Sequence, residues 1–289
     1  MTVDQALLRY EQHQRAKGNK VKTIDHNLWR LRVWLSEDQA IADITPKQLQ
    51  AKYDQRVAKL AADSHRGELA VVKTFFNWAV KEGLISKSPA DRVEPVGRRR
   101  RGKKQLRKSE AQAFAARALL MAQAGDDGAL AALAVLLLGL RSGEIRKRRV
   151  RDLDPASDAV LLWIEDGKTD AATRHMEVPE PLAGLLVHQA GDREAQGYLF
   201  FAPNASAGYR SATWLRKAVT RVCKAAKVPR VCPHGLRGTW ATLTTDAGMG
   251  GHLVARELGH TNQSVTRDHY TQKGTAERAR ARGLRLVEG

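Results

Sequence analysis

The chain is poor in cysteine, lacks a long apolar run, and carries far fewer acids than bases. Its two cysteines, Cys223 and Cys232, share no C-x-x-C spacing, which argues against a disulfide framework and fits a reducing compartment. Both are expected to be small core or surface residues. The longest apolar stretch, from Ala129 to Leu138, is about half the length that a membrane-spanning helix requires. Met1-Thr2-Val3-Asp4-Gln5 lacks the basic region followed by an apolar stretch that marks a signal peptide, so the expected location is the cytoplasm. No Gly-x-x-x-x-Gly-Lys-Ser/Thr loop is present, so nucleotide hydrolysis is not indicated. Acids number 31 against 49 Lys and Arg, a formal charge of +18, so the surface attracts polyanions. Nucleic acid is the first polyanion to consider, with anionic membrane as the rival.

At 289 residues the chain suits two domains, each able to bury its own core. From Val3 to about Ile85, apolar residues at helical spacing, such as Leu28, Leu31 and Leu35, predict four amphipathic helices. The first two break at Gly18-Asn19. Thr45-Pro46-Lys47-Gln48 offers a capping hydroxyl, a proline at the first helical position and a glutamine to complete a capping box, so a third helix starts there. A fourth runs from about Ser64 and stops near Gly83, its Phe75, Phe76 and Trp78 being expected in the core rather than on a base-stacking face. Residues 1–90 therefore form one expected domain and residues 109–289 the other. Between them, residues 91–108 read as a linker, in which Arg98 to Lys108 holds eight basic side chains and no acid. Such a run is either a solvated tether or a strap along phosphates, and its place between two domains of a basic chain favours the strap. Beyond Ser109 the pattern is helical through Leu138. Two strands follow, Ala159 to Ile164 and Arg174 to Val178, as a hairpin, and helices return after Pro179, including Trp214 to Ala226, Leu236 to Ala247 and Leu253 to Leu258. The fold class is mainly α with a small β-hairpin or sheet.

Within the second half lie, in order, Gly139-Leu140-Arg141-Ser142-Gly143-Glu144, an isolated Lys168, His234-Gly235-Leu236-Arg237, Leu258-Gly259-His260 and His269-Tyr270. Arg141 is either an ordinary helix-end arginine paired with Glu144 or a fork that Glu144 orients toward an anion. His234 and Arg237 share one helical face if a helix begins near Pro233. Two planar, permanently charged guanidiniums suit the non-bridging oxygens of one phosphate and offset charge that builds in its transition state. Lys168 falls in the hairpin turn, where a lysine is usually just solvated but an ammonium can also reach a leaving oxygen. His234 can exchange protons near neutral pH and His260 can donate a hydrogen bond to phosphate, the plain alternative for each being a structural histidine. Of five tyrosines only Tyr270 follows these motifs, which makes it the candidate nucleophile. Tyr10 and Tyr53 fall in the N-terminal helices, and Tyr198 and Tyr209 flank a Gly/Pro-containing loop. Cys232, His234, His252, His260 and His269 also crowd the C-terminal region, yet their spacings match no recognised zinc pattern.

Taken together, these motifs resemble the phage-integrase family of tyrosine recombinases. The N-terminal helical segment, ending in Trp78-Ala79 and Ser88-Pro89-Ala90, looks like that family's core-DNA-binding domain, followed by a mixed α/β catalytic domain. What is missing relative to some members is an amino-terminal arm-binding domain, which points to simple, arm-independent sites. The resemblance implies that Tyr270 attacks DNA to give a 3′-phosphotyrosyl link, with Arg141 and Arg237 holding the phosphate, Lys168 protonating the departing 5′ oxygen, His234 assisting proton transfer and His260 steadying the phosphate. It implies no metal or nucleotide cofactor. Its partners would be double-stranded DNA and further copies of the chain, four on paired sites, with accessory DNA-bending proteins as additional candidates and no membrane. The tail from Arg278 to Leu286 would dock on a neighbour. A non-catalytic DNA-binding regulator or architectural protein of the same fold, and a type IB topoisomerase, are the alternatives.

Overall fold

The computed structural model describes residues 1–97, 102–155, 159–165 and 173–259, and among these the chain is mostly helical with one small sheet. It divides into two compact units, Met1–Arg100 and Arg101–Gly289.

The first unit holds α1 (Val3–Ala16), α2 (Val21–Trp34), a 3-10 turn (Ile41–Asp43), α3 (Pro46–Lys59) and α4 (Ala62–Lys81). Helix starts follow local chemistry. Thr2 with Gln5, and Thr45 with Gln48, close reciprocal capping boxes, and Pro46 occupies the first turn where its missing N–H costs nothing. α1 and α2 part around Gly18, and α4 begins two residues before the expected Ser64. Tyr10, Phe75 and Trp78 pack ring against ring with centroids 5.0–5.8 Å apart, so the aromatics of α4 are core. Inside this core, Glu68 is bound by the Nε and Nη2 of Arg56 at 2.8 and 2.7 Å and by the Trp34 indole N–H at 3.1 Å. The chain after α4 stays on this unit. Val93 is fully buried, Tyr53 accepts a hydrogen bond from the Val96 N–H at 2.9 Å, and Arg66 donates to the carbonyls of Pro95 and Gly97.

The second unit holds α5 (Lys108–Gln123), α6 (Asp127–Leu138), α7 (Ser142–Arg146), a 3-10 turn (Val150–Asp152), β1 (Leu153–Pro155), β2 (Val160–Ile164), β3 (Arg174–Val178), α8 (Leu182–Ala190), α9 (Ala212–Ala225), α10 (Pro233–Asp246) and α11 (Gly251–Glu257). The longest apolar run of the sequence is α6, a helix buried on nearly every side among α5, α8, α9 and α10. Each of its buried leucines and valines contributes about 1.5–3 kcal/mol through area removed from water. The helix expected from Ser109 to Leu138 is in fact two, because Gly125 turns the chain at φ 87° and Asp126 caps α6 through the N–H groups of Gly128 and Ala129. The expected hairpin is present with Ile164 opposite Arg174, and β1 adds an antiparallel third strand beside β2. Leu162, Ile164, Met176 and Val178 turn inward while Trp163 stays exposed, the alternation of a sheet with one covered face.

Of the basic run, Arg98 to Arg101 lie outside the described residues. Its later part packs on α10, where the Leu106 N–H donates to Thr239 Oγ1 at 2.9 Å and Gln105 Oε1 accepts from Thr242 at 2.8 Å. Gly235 makes this approach possible, since a Cβ there would collide with the carbonyl oxygen of Lys104. Cys223 is buried on α9, where burial pushes its thiol pKa up, and Cys232 immediately precedes α10. Among the described residues no helix is long and apolar enough to cross a membrane.

Candidate active site

α6 ends at Gly139, whose left-handed φ of 62° only glycine adopts cheaply, and a Cβ there would lie 2.7 Å from the Trp240 ring. The turn delivers Arg141 to the position before α7, where Glu144 reaches back to its backbone N–H at 2.7 Å. The same carboxylate takes Nη1 of Arg141 at 2.7 Å. From β3, Arg174 places Nη1 at 3.3 Å and Nη2 at 3.1 Å on the two oxygens of Glu144. From α10, Arg237 brings Nη1 to 3.9 Å. Among the described residues, three guanidiniums therefore surround one buried carboxylate.

Backbone carbonyls fix the forks further. Arg237 donates from Nη1 to Gly139 at 2.6 Å and from Nη2 to Leu258 at 2.5 Å, while Arg141 donates from Nη2 to Gly259 at 2.9 Å. The two arginines thus converge on adjacent carbonyls of the Leu-Gly-His motif. They differ in access, since the Arg141 side chain is 37% exposed and that of Arg237 is fully buried. Burial would raise the pKa of Glu144, but the hydrogen bonds and charge of Arg174, the Arg141 N–H and the charge of Arg237 outweigh it and hold the carboxyl at about 2. It is ionised at neutral pH.

His234 sits exposed in the first turn of α10, three residues before Arg237, the helix beginning at Pro233 as the spacing requires. Lys168, His260 and Tyr270 lie outside the described residues, as do His269 and the tail from Arg278 to Leu286. Tyr198 and Tyr209 pack ring to ring at 5.2 Å, with Arg149 over the first and Arg146 over the second. Among the described residues no group of three or more His, Cys, Asp or Glu side chains could hold a metal ion.

Two arginines escaped the sequence reading. Arg174 looks like an ordinary first strand residue, and its partner lies thirty positions away in sequence. Arg148, almost fully buried, donates from Nε to the carbonyl of Glu144 at 2.9 Å and from Nη1 to that of Trp163 at 2.6 Å, with Asp152 3.1 Å away. It ties α7 to β2. The local run Arg146 to Arg151 is dense in base, and nothing in its spacing marks which of them turns inward.

The chemistry available is anion binding, by permanently charged forks whose directions are set by a shared carboxylate and by backbone oxygens. A family model described as the phage integrase family matches residues 104–277, more than half of the chain. Tyrosine recombinase XerC of Mycobacterium bovis (strain BCG / Pasteur 1173P2) is 30% identical over 224 residues, covering 68% of each chain. Among solved structures, the Tn1549 transposon integrase in complex with a circular intermediate DNA is similar with a TM-score of 0.75 at 21% identity, over 99% of both chains. A lambda integrase tetramer bound to a Holliday junction is similar with a TM-score of 0.70 at 19% identity, over 94% of this chain and 79% of that one.

Proposed function

This chain belongs to the phage integrase family and is a tyrosine-type site-specific recombinase, and from that premise we propose that Tyr270 is its nucleophile. The phenol oxygen of Tyr270 attacks a backbone phosphorus, forming a 3′-phosphotyrosyl bond as the bond from phosphorus to the 5′ oxygen breaks. His234 assists removal of the phenol proton, and Lys168 supplies a proton to the departing 5′ oxygen. Arg141 and Arg237 hold the non-bridging oxygens, and His260 donates a further hydrogen bond. Religation reverses each transfer with a new 5′-hydroxyl as attacker, so no external energy source is needed.

The observation that supports this reading best is the convergence of Arg141 and Arg237 on Glu144 and on the adjacent carbonyls of Leu258 and Gly259. A phosphodiester offers two non-bridging oxygens that two such forks can hold. The partner is double-stranded DNA, with residues 1–90 as the core-DNA-binding domain, residues 91–108 as the basic connection along the backbone and residues 109–289 as the catalytic domain. Four protomers assemble on paired sites, the tail after Tyr270 docks on a neighbour, and accessory DNA-bending proteins are further candidate partners. The cytoplasm, where bacterial DNA lies, is the compartment that fits. The relatives are recombinases, which leaves a degenerate regulator and a type IB topoisomerase as the disfavoured readings.

A nicked suicide duplex, which loses its 5′ leaving strand on cleavage, tests the proposal. Wild type is expected to accumulate a denaturation-resistant protein–DNA adduct and Tyr270→Phe none, with equal binding. Equal adduct from both proteins, or none from a wild type that binds its site, would overturn it.

A further inference from the structure

We infer that Arg174 is a positioning residue of the recombination reaction, one that saturates Glu144 so that this carboxylate orients Arg141 without capturing Arg237. The inference rests on the reading of the site given above.

A carboxylate offers about four acceptor positions, two on each oxygen. At Glu144 four donors fill them. Oε1 takes Nη1 of Arg141 at 2.7 Å and Nη1 of Arg174 at 3.3 Å. Oε2 takes the backbone N–H of Arg141 at 2.7 Å and Nη2 of Arg174 at 3.1 Å. Arg237 is left at 3.9 Å from Oε2, an ion pair without a hydrogen bond, while its nitrogens point to the carbonyls of Gly139 and Leu258. That gap is only about 1 Å beyond a normal N–H···O distance. Removing the Arg174 fork opens one position on each oxygen of a carboxylate that is 5% exposed, and among the described residues Arg237 is a cation already within 4 Å of it. A guanidinium drawn onto Glu144 is turned away from a phosphate and partly neutralised.

Arg174 is placed for this role. Both of its terminal nitrogens donate to Glu144, and its side chain is 8% exposed against 37% for Arg141. It opens β3 opposite Ile164, so the same fork seats the base of the hairpin on α7. Arg148 makes a second, independent tie through the Trp163 carbonyl at 2.6 Å. Loss of Arg174 therefore unbalances the charge cluster without detaching the sheet.

The test is the single-turnover rate of covalent adduct formation on a nicked duplex carrying the sequence that wild-type protein traps covalently. It is run for wild type, Arg174→Met, Arg174→Lys, Glu144→Gln and the Met/Gln double variant, with gel-shift affinity and melting temperature measured alongside. Arg174→Met should slow adduct formation about 100-fold, the loss typical of a misdirected transition-state donor, while affinity for the duplex stays close to wild type. Arg174→Lys should recover part of the rate, since it restores the charge but not the fork. In the Glu144→Gln background the Met substitution should add little, because the two residues act as one unit. The pH profile of the Met variant should also depart from that of wild type in the usual carboxylate range, because Glu144 there loses the fork that helps hold its carboxyl down. A wild-type rate for Arg174→Met, the same loss with and without Glu144, or a loss that follows melting temperature or affinity would overturn the inference. Should Arg174→Met not fold, Arg174→Lys carries the same comparison: reduced rate with an altered pH profile supports the role, and an unchanged pH profile refutes it. Absence of any wild-type adduct would instead sink the reading of Tyr270 and this inference with it.

Discussion

Glu68 in the first unit and Glu144 in the second are both buried carboxylates met by arginine, yet their charge is closed differently. Glu68 is bound by one guanidinium, that of Arg56, and by the neutral Trp34 N–H. Arg30 acts on it only through its charge, and the bonded pair fastens α3 to α4 and, through Trp34, to α2. Glu144 gathers Arg141, Arg174 and Arg237, so among the described residues three guanidiniums share one carboxylate. The first arrangement stabilises a fold. The second stores binding capacity in it, at the cost of holding like charges together.

The comparison breaks most visibly at Arg237. Arg237→Lys keeps a charge but loses the two-point fork, and adduct formation on the suicide duplex should fall by about 100- to 1000-fold with binding retained. The corresponding change in the first unit, Glu68→Ala, should leave chemistry at saturating DNA untouched. It strands Arg56 and the Trp34 N–H, so denaturant unfolding of that unit should lose about 1–3 kcal/mol. Acid sharpens the contrast at Glu144. Its carboxyl, held at about 2 against an ordinary 4.5, contributes stability that is fully present above pH 4.5 and is lost as pH falls toward 2. Wild type should therefore lose its margin over Glu144→Gln across that window in an unfolding titration, and an unchanged margin would remove the charge argument. The smallest effect belongs to a cap away from both clusters. Asp126→Ala removes the acceptor for Gly128 and Ala129 and the partner of Arg221, and should cost about 1 kcal/mol in the same unfolding assay.

What the sequence revealed follows from where the physics is local. Thr45-Pro46-Lys47-Gln48 carries its own cap, and α3 starts there. The apolar, strand-like segment at β2 followed by a second at β3 suggests a hairpin, and the observed register pairs the two segments in full. β1 was missed because three residues ending in Pro155 show no period, so the strand exists only by pairing with β2. The break before α6 was missed because apolar residues continue on both sides of Gly125, although Asp126 is a cap signal in retrospect. At the site, Glu144 was legible as the orienter of Arg141 because both lie in one turn. Arg174 was not, since its role arises only when β3 is laid against α7. Membership of the family followed from motif order, which survives without any knowledge of tertiary packing.

The most direct measurement is mass spectrometry of the trapped protein–DNA adduct after nuclease and trypsin digestion. A nucleotide joined through its 3′ phosphate to the tryptic peptide 268–273, on the phenol oxygen of Tyr270, is the expected result. A nucleotide on any other residue, or one joined through a 5′ phosphate, would contradict the assignment of Tyr270 as the group that attacks the DNA.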